Sequence, residues 1–247
     1  MSSVFSVIFE EFEQELDAIK ILIAHPVEKR SISAKARVAG ANAAVLLLAA
    51  TFEEFVREVA REYAKAVVTG ATSHDELPPT LAATVWKRAM QKLARVQLGP
   101  QLEILSRESM FSDAKARFSI AFEFCRGDLT QDIYQDLIHN DNNMRPKELN
   151  LMFKVSGLEN ACLLVAEAED IKSYFGVDTS GLAHGKLLEA LNDFFNRRNQ
   201  TAHSIRAMQS VSPESIAKDL DLLRLFGKSL AELAEAKRPE PATVMAQ

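Results

Sequence analysis

The amino-acid sequence predicts an all-α fold, a helical bundle, on three observations. Apolar residues recur at three- and four-residue spacing over long stretches, as in Phe5, Ile8, Phe12, Leu16, Ile19 and Ile23, and again in Val45, Leu48, Phe52, Phe55, Val56, Val59 and Tyr63. No stretch carries the strict alternation of a half-buried strand, and there is no internal repeat or linker. Glycine and proline fall at the ends of the periodic stretches, where helices stop and start. At 247 residues and 47% hydrophobic content, the chain can bury a large core without a disulfide or a metal. It reads as one domain over 1–237, followed by a frayed tail at 238–247 with two prolines and no apolar stripe.

In order, the first helix is expected from Val4 to about Ile23, with His25-Pro26 as its stop. The second runs from about Ser33 to Thr69 and closes at Gly70, with Glu53 at the edge of its buried stripe and Glu54 facing away. After a turn at Ser73 to Pro79, Thr80 to Val96 forms a third helix carrying Trp86, Met90 and Leu93 inward. Leu98-Gly99-Pro100 breaks the pattern, Gln101 to Met110 is ambiguous, and Asp113 to Cys125 is helical, ending at Gly127. Thr130 caps a short helix to about Ile138, His139 to Asn143 is a loop, and Pro146 opens a helix that Gly157 terminates. Asn160 to Phe175 forms another helix, and a turn at Gly176 to Gly181 leads into the next. A last helix opens at Ser212-Pro213-Glu214, with Leu220, Leu223, Phe226, Leu230 and Leu233 as its stripe.

Composition narrows the function. Cys125 and Cys162 lie far apart inside apolar runs, which fits structural thiols in a reducing, cytoplasmic setting. No Cys/His cluster has metal-ligand spacing, no glycine-rich phosphate loop is present, and nothing calls for a cofactor. The longest apolar run, Ala43 to Ala50, falls short of the roughly 20 residues of a membrane span, and no basic leader precedes it. A net charge of −5 argues against sequence-blind duplex binding while leaving room for a local basic pocket.

The informative stretch is Asn196-Arg197-Arg198-Asn199-Gln200-Thr201-Ala202-His203, which closes an amphipathic helix. At about 100° per residue, Leu187, Leu188, Leu191, Phe194 and Phe195 share one stripe. Arg198 falls near the middle of that stripe, Asn199 and His203 together on one edge, and Arg197 elsewhere. A guanidinium on an apolar face needs a partner or a wet pocket. One account makes Arg198 a buried ion-pair partner of Glu53, pinning two helices, with His203 favoured at a helix C-terminus by the dipole. The other makes both residues chemical.

Arg198 to His203 resembles the Arg-polar-x-x-x-His signature of the HEPN superfamily, and most closely its RiboL-PSP-type branch, in which the histidine is commonly followed by glycine; here Ser204 stands instead. The helix around Leu46 to Phe55, an apolar run followed by glutamate, is similar to that branch's early helix. Asn142-Asn143-Met144-Arg145-Pro146 through Leu149 resembles its middle segment. The resemblance implies a HEPN-type bundle with additional helices, a homodimer through the motif helix, and metal-independent endoribonuclease activity. It also implies the biology of a toxin–antitoxin or antiphage defence system, with an antitoxin or defence protein as partner.

In that chemistry the ribose 2′-OH is the nucleophile, so the protein moves protons and stabilises charge on phosphorus, leaving a 2′,3′-cyclic phosphate and a 5′-hydroxyl. His203 suits the proton transfer and Arg198 a bidentate contact to phosphate oxygens, with Asn199 and Glu53 in support. Asn143 and Arg145 are candidates for RNA contact or for the turn before Pro146. Residues five apart on a straight helix diverge by about 140°, so a two-fold dimer that juxtaposes two motif helices would bring Arg198 and His203 of both chains into one cleft. The alternative functions are a catalytically silent HEPN module that binds nucleotide or protein, and a plain helical oligomerisation protein. Leu182-Ala183-His184-Gly185 imitates the motif's end without an arginine ahead of it, so His184 is a decoy. Lys87, Arg88, Lys92 and Arg95 read as a solvated basic face.

Overall fold

Ten α-helices and one 3-10 turn make up the described residues, with no strand among them. The helices are α1 (Val4–Glu28), α2 (Ala34–Gly70), α3 (Pro79–Ala94), α4 (Arg107–Cys125), α5 (Tyr134–Leu137), α6 (Pro146–Lys154), α7 (Ala161–Val165), α8 (Glu169–Phe175), α9 (Ser180–His203) and α10 (Pro213–Lys237). The computed structural model describes residues 3–28, 33–95, 107–139, 143–203 and 211–240, apart from the side chains of 25–28, 107 and 203. The chain divides into two units. One comprises Met1–Val59, Asn140–Leu151 and Glu159–Lys237; the other comprises Ala60–His139, Met152–Leu158 and Arg238–Gln247.

In the first unit, α2 supplies the central stripe. Val45, Leu48, Phe52, Phe55, Val56 and Val59 are all buried, as their helical spacing predicts. Phe55 stacks on Phe12 of α1 with ring centres 4.2 Å apart, and Phe52 meets Phe226 of α10 edge-on at 5.6 Å and Phe195 of α9 at 6.2 Å. Burying each such ring stabilises the fold by roughly 1.5–3 kcal/mol. Gly227 is required by this packing, because a Cβ there would lie 2.8 Å from the Phe12 ring and 3.3 Å from Phe55. On the rim, Arg224 of α10 donates to Glu13 at 2.8 Å and to Asp17 at 2.5 Å, clasping α1 to α10.

By length and composition alone α2 could cross a membrane, with an 18-residue window of mean hydropathy 1.4. Its buried residues nonetheless follow one stripe, and Glu53, Glu54, Arg57, Glu58 and Arg61 crowd the turns that come after the apolar run.

Several boundaries differ from the sequence expectation. Helix α1 continues through Pro26 to Glu28, since a proline in the final turn removes only one backbone hydrogen bond, at an end where carbonyls already lack partners. The single helix expected from Asn160 to Phe175 is two, α7 and α8, because Ala168 adopts extended backbone and Glu169 and Asp170 open a new first turn. No proline or glycine marks that break. Gly176, at φ +61°, closes α8 with its N–H on the carbonyls of Lys172 and Ser173. In α10 Leu233 is only half-buried and Ala234 takes the inward position.

In the second unit, the buried face of α3 is Leu81, Val85 and Ala89, one register away from the expected Trp86, Met90 and Leu93. Trp86 remains 41% exposed, its ring edge on Phe118 of α4 at 6.1 Å. Arg88 donates to the Leu137 carbonyl and Lys92 pairs with Asp136, so half of the expected solvated basic face holds α5 in place. Thr130 does not cap α5; its hydroxyl donates to Asp128 at 2.6 Å, and Ile133 holds the cap position. The ambiguous stretch is helical from Arg107, and Leu98-Gly99-Pro100 lies outside the described residues.

Candidate functional site

All the expected site residues belong to the first unit, on three segments: Glu53 on α2, Asn143 and Arg145 ahead of α6, and Arg198, Asn199 and His203 at the end of α9. Each is placed by a buried neighbour. Phe52, fully buried, holds Glu53 at the edge of the stripe, where it is half-buried. Met144 is fully buried and acts as a plug, so Asn143 and Arg145 on either side are turned out of the core. The turn between them is closed by the Arg145 N–H on the Asn143 carbonyl at 2.7 Å, and Pro146 then starts α6. Phe194 and Phe195, also fully buried, fix the rotation of α9.

The turned-out residues meet the polar edge of α9. Asn143 donates from Nδ2 to Asn199 Oδ1 at 2.6 Å, and that same oxygen accepts from Arg198 at 3.2 Å. The Asn199 amide nitrogen is left without a partner among the described residues. Arg145 donates to Asn196 Oδ1 at 2.8 Å and to Asn192 Oδ1 at 3.4 Å. Asn192, Asn196, Asn199 and His203 are spaced i, i+4, i+7 and i+11, which aligns them along one helical edge. The backbone of α9 reaches His203; its side chain is outside the described residues.

The charges divide in an unexpected way. Arg197, which the helical wheel sets apart from the motif, pairs with Asp219 of α10, a carboxylate that is only 5% exposed. Arg197 is thus the arginine that pins two helices. Arg198 and Glu53 share no direct hydrogen bond or ion pair among the described residues, and Arg198 Nε and Glu53 Oε1 are both buried without a hydrogen-bond partner there. Burial pushes the Glu53 carboxyl above the usual carboxylate range, while the Arg198 charge, the Met144 N–H and the Arg57 charge pull it down. The Asp219 carboxyl is likewise raised by burial, against the pull of Arg197.

The remaining candidates lie elsewhere. His184 sits in the second turn of α9, roughly 20 Å along the helix from Arg198. Both cysteines are free, and burial pushes the Cys162 thiol up to about 12. Among the described residues no three His, Cys, Asp or Glu side chains gather where they could hold a metal ion. A cavity of about 390 Å³ opens between α1 and α2, rimmed by Glu11, Glu15, Glu54 and Glu58, and none of the site residues lines it. The sequence reading missed Asn192 and Asn196; their four- and seven-residue spacing ahead of Asn199 was the signal that could have found them.

An all-α bundle with a polar site on the last turns of a motif helix has the architecture of a HEPN-type module. The RiboL-PSP-HEPN family model matches residues 10–236, nearly the whole chain, and the protein belongs to that family. No curated protein and no solved structure matches it.

Proposed function

We propose that the protein is a metal-independent endoribonuclease that acts as a homodimer through α9, the toxin or effector of a toxin–antitoxin or antiphage defence system in the cytoplasm. The observation that carries this reading is the convergence of Asn143 and Arg198 on Asn199, one turn before His203, with Arg145 on Asn192 and Asn196 of the same helical edge and Glu53 close enough for its carboxyl to feel the Arg198 charge. Three segments distant in sequence spend their polar side chains on one helix end, and two of those groups, Arg198 Nε and Glu53 Oε1, keep hydrogen-bonding capacity unspent.

In this reading Arg198 contacts the scissile phosphate, which its half-buried guanidinium can reach while Asn199 holds one of its nitrogens. His203 transfers the proton of the ribose 2′-OH. Glu53 stands near Arg198, and the Arg198 charge and the Met144 N–H both favour its carboxylate form against the cost of burial. The second chain supplies the other half of the cleft, because Arg198 and His203 of one helix diverge by about 140°.

Expression tests it. The wild type should arrest growth of a host cell while His203→Ala, matched in circular dichroism and melting, should not. Equal growth of the two strains overturns the catalytic reading.

A further inference from the structure

The described arginines differ in what holds them. Arg57, Arg126, Arg197 and Arg224 each pair with a carboxylate. Arg145 and Arg198 are held instead by asparagine side chains, with no carboxylate hydrogen-bonded to either among the described residues, although Glu53 feels the Arg198 charge. An amide fixes a guanidinium in place without neutralising it, so its charge and its remaining N–H donors stay available to an anion. In a chain of net charge −5, Arg145 thus brings a cation onto the asparagine edge of α9, close to Arg198.

We infer that Asn192, Asn196 and Asn199, with Arg145 laid across the first two, form a track along α9 that takes the chain of a single-stranded RNA, Arg145 contacting a phosphate beyond the one at Arg198. This rests on the ribonuclease reading and deepens it by naming the substrate class. Arg145 is gripped between Asn192 and Asn196, roughly 5–10 Å along the helix from Arg198 and Asn199, so one mononucleotide would not span both cations. Asn196 is exposed and Arg145 half-buried, which leaves the track open to a polymer. The amide nitrogen of Asn199, unpartnered among the described residues, and the asparagine ladder are donors and acceptors suited to unpaired base edges, which a single strand presents and a duplex hides. Two cations also supply too few phosphate contacts for duplex affinity. Asn192 and Asn196 are positioning residues in this account, acting through Arg145.

The test is binding of a fluorescent single-stranded 2′-O-methyl oligoribonucleotide, which cannot be cleaved, over a range of salt concentrations. Arg145→Gln should weaken binding about ten-fold and reduce the slope of log K against log salt by about 0.7, the share of one single-strand phosphate contact. Arg145→Lys should keep the slope, and Asn192→Ala/Asn196→Ala should weaken binding several-fold with the slope intact, since the charge is kept and only its placement is lost. A purely structural Arg145 would leave the slope of every folded variant unchanged, and that result overturns the track, as would tighter binding of the matched duplex or no binding by the wild type. Binding with an Arg145-dependent slope, but no cleavage of the all-ribose strand, supports the track and removes the catalytic reading alone.

Discussion

Asn143 donates to Asn199 at 2.6 Å across fifty-six residues of sequence, and this contact ties the turn ahead of α6 to the last turns of the motif helix. Because Asn199 Oδ1 also accepts from Arg198, loss of Asn143 loosens the arginine as well. Asn143→Ala should lower stability by about 1 kcal/mol in chemical denaturation, the net worth of one hydrogen bond, while cleavage falls by a larger factor than folding explains. A variant as active as wild type would detach the turn from the site.

Arg197 and Arg198 are neighbours with opposite duties. Arg197→Leu strands the buried Asp219 carboxylate and should destabilise the protein by about 3 kcal/mol at neutral pH. The loss should shrink in acid, where Asp219 protonates, because burial already raises that carboxyl. Arg198→Leu should leave the melting temperature near wild type and abolish activity. Thermal melts of the two variants side by side check the contrast, and a large loss for Arg198→Leu would make it the structural arginine instead.

Glu53 makes a prediction about pH. Its folded value is raised above 4.5, so its contribution to stability is present in acid and is lost as pH rises through the folded value. Glu53→Gln lacks that loss. Its melting temperature should exceed that of wild type by a margin that opens above about pH 4.5 and levels off toward neutrality. A variant less stable than wild type at neutral pH, with the gap closing in acid, would mean that Arg198 outweighs desolvation after all.

A composite site in a dimer can be split. If Arg198 of one chain works with His203 of the other, mixing inactive Arg198→Ala and inactive His203→Ala proteins should restore one intact site in each mixed dimer. That amounts to roughly a quarter of wild-type activity after subunit exchange, by random pairing into closed two-fold dimers. No recovery, with exchange demonstrated by mass, would place each site within one chain.

Much of this was legible in the sequence because it depends on helical periodicity. The α2 stripe from Val45 to Val59 and the α9 stripe through Phe194 and Phe195 are buried as their spacing requires. Periodicity also placed Glu53 at the edge of its stripe, where it is half-buried. It failed at α3, whose buried face carries Leu81, Val85 and Ala89 and not Trp86, because tertiary contacts choose between two apolar stripes on one helix. It failed again at Ala168, where a helix breaks with no proline or glycine to mark it. In the site, the residues on the motif helix could be read from the helix itself. The partners that orient them could not, because which residues meet Asn192, Asn196 and Asp219 is settled by tertiary packing.

The most direct measurement is incubation of purified wild type and the Arg198→Ala/His203→Ala variant with total and phage-infected RNA in EDTA, followed by mapping of the cut ends. The account predicts 2′,3′-cyclic phosphate and 5′-hydroxyl ends with the wild type and intact RNA with the variant. Identical RNA from both proteins, intact or cut, would contradict it.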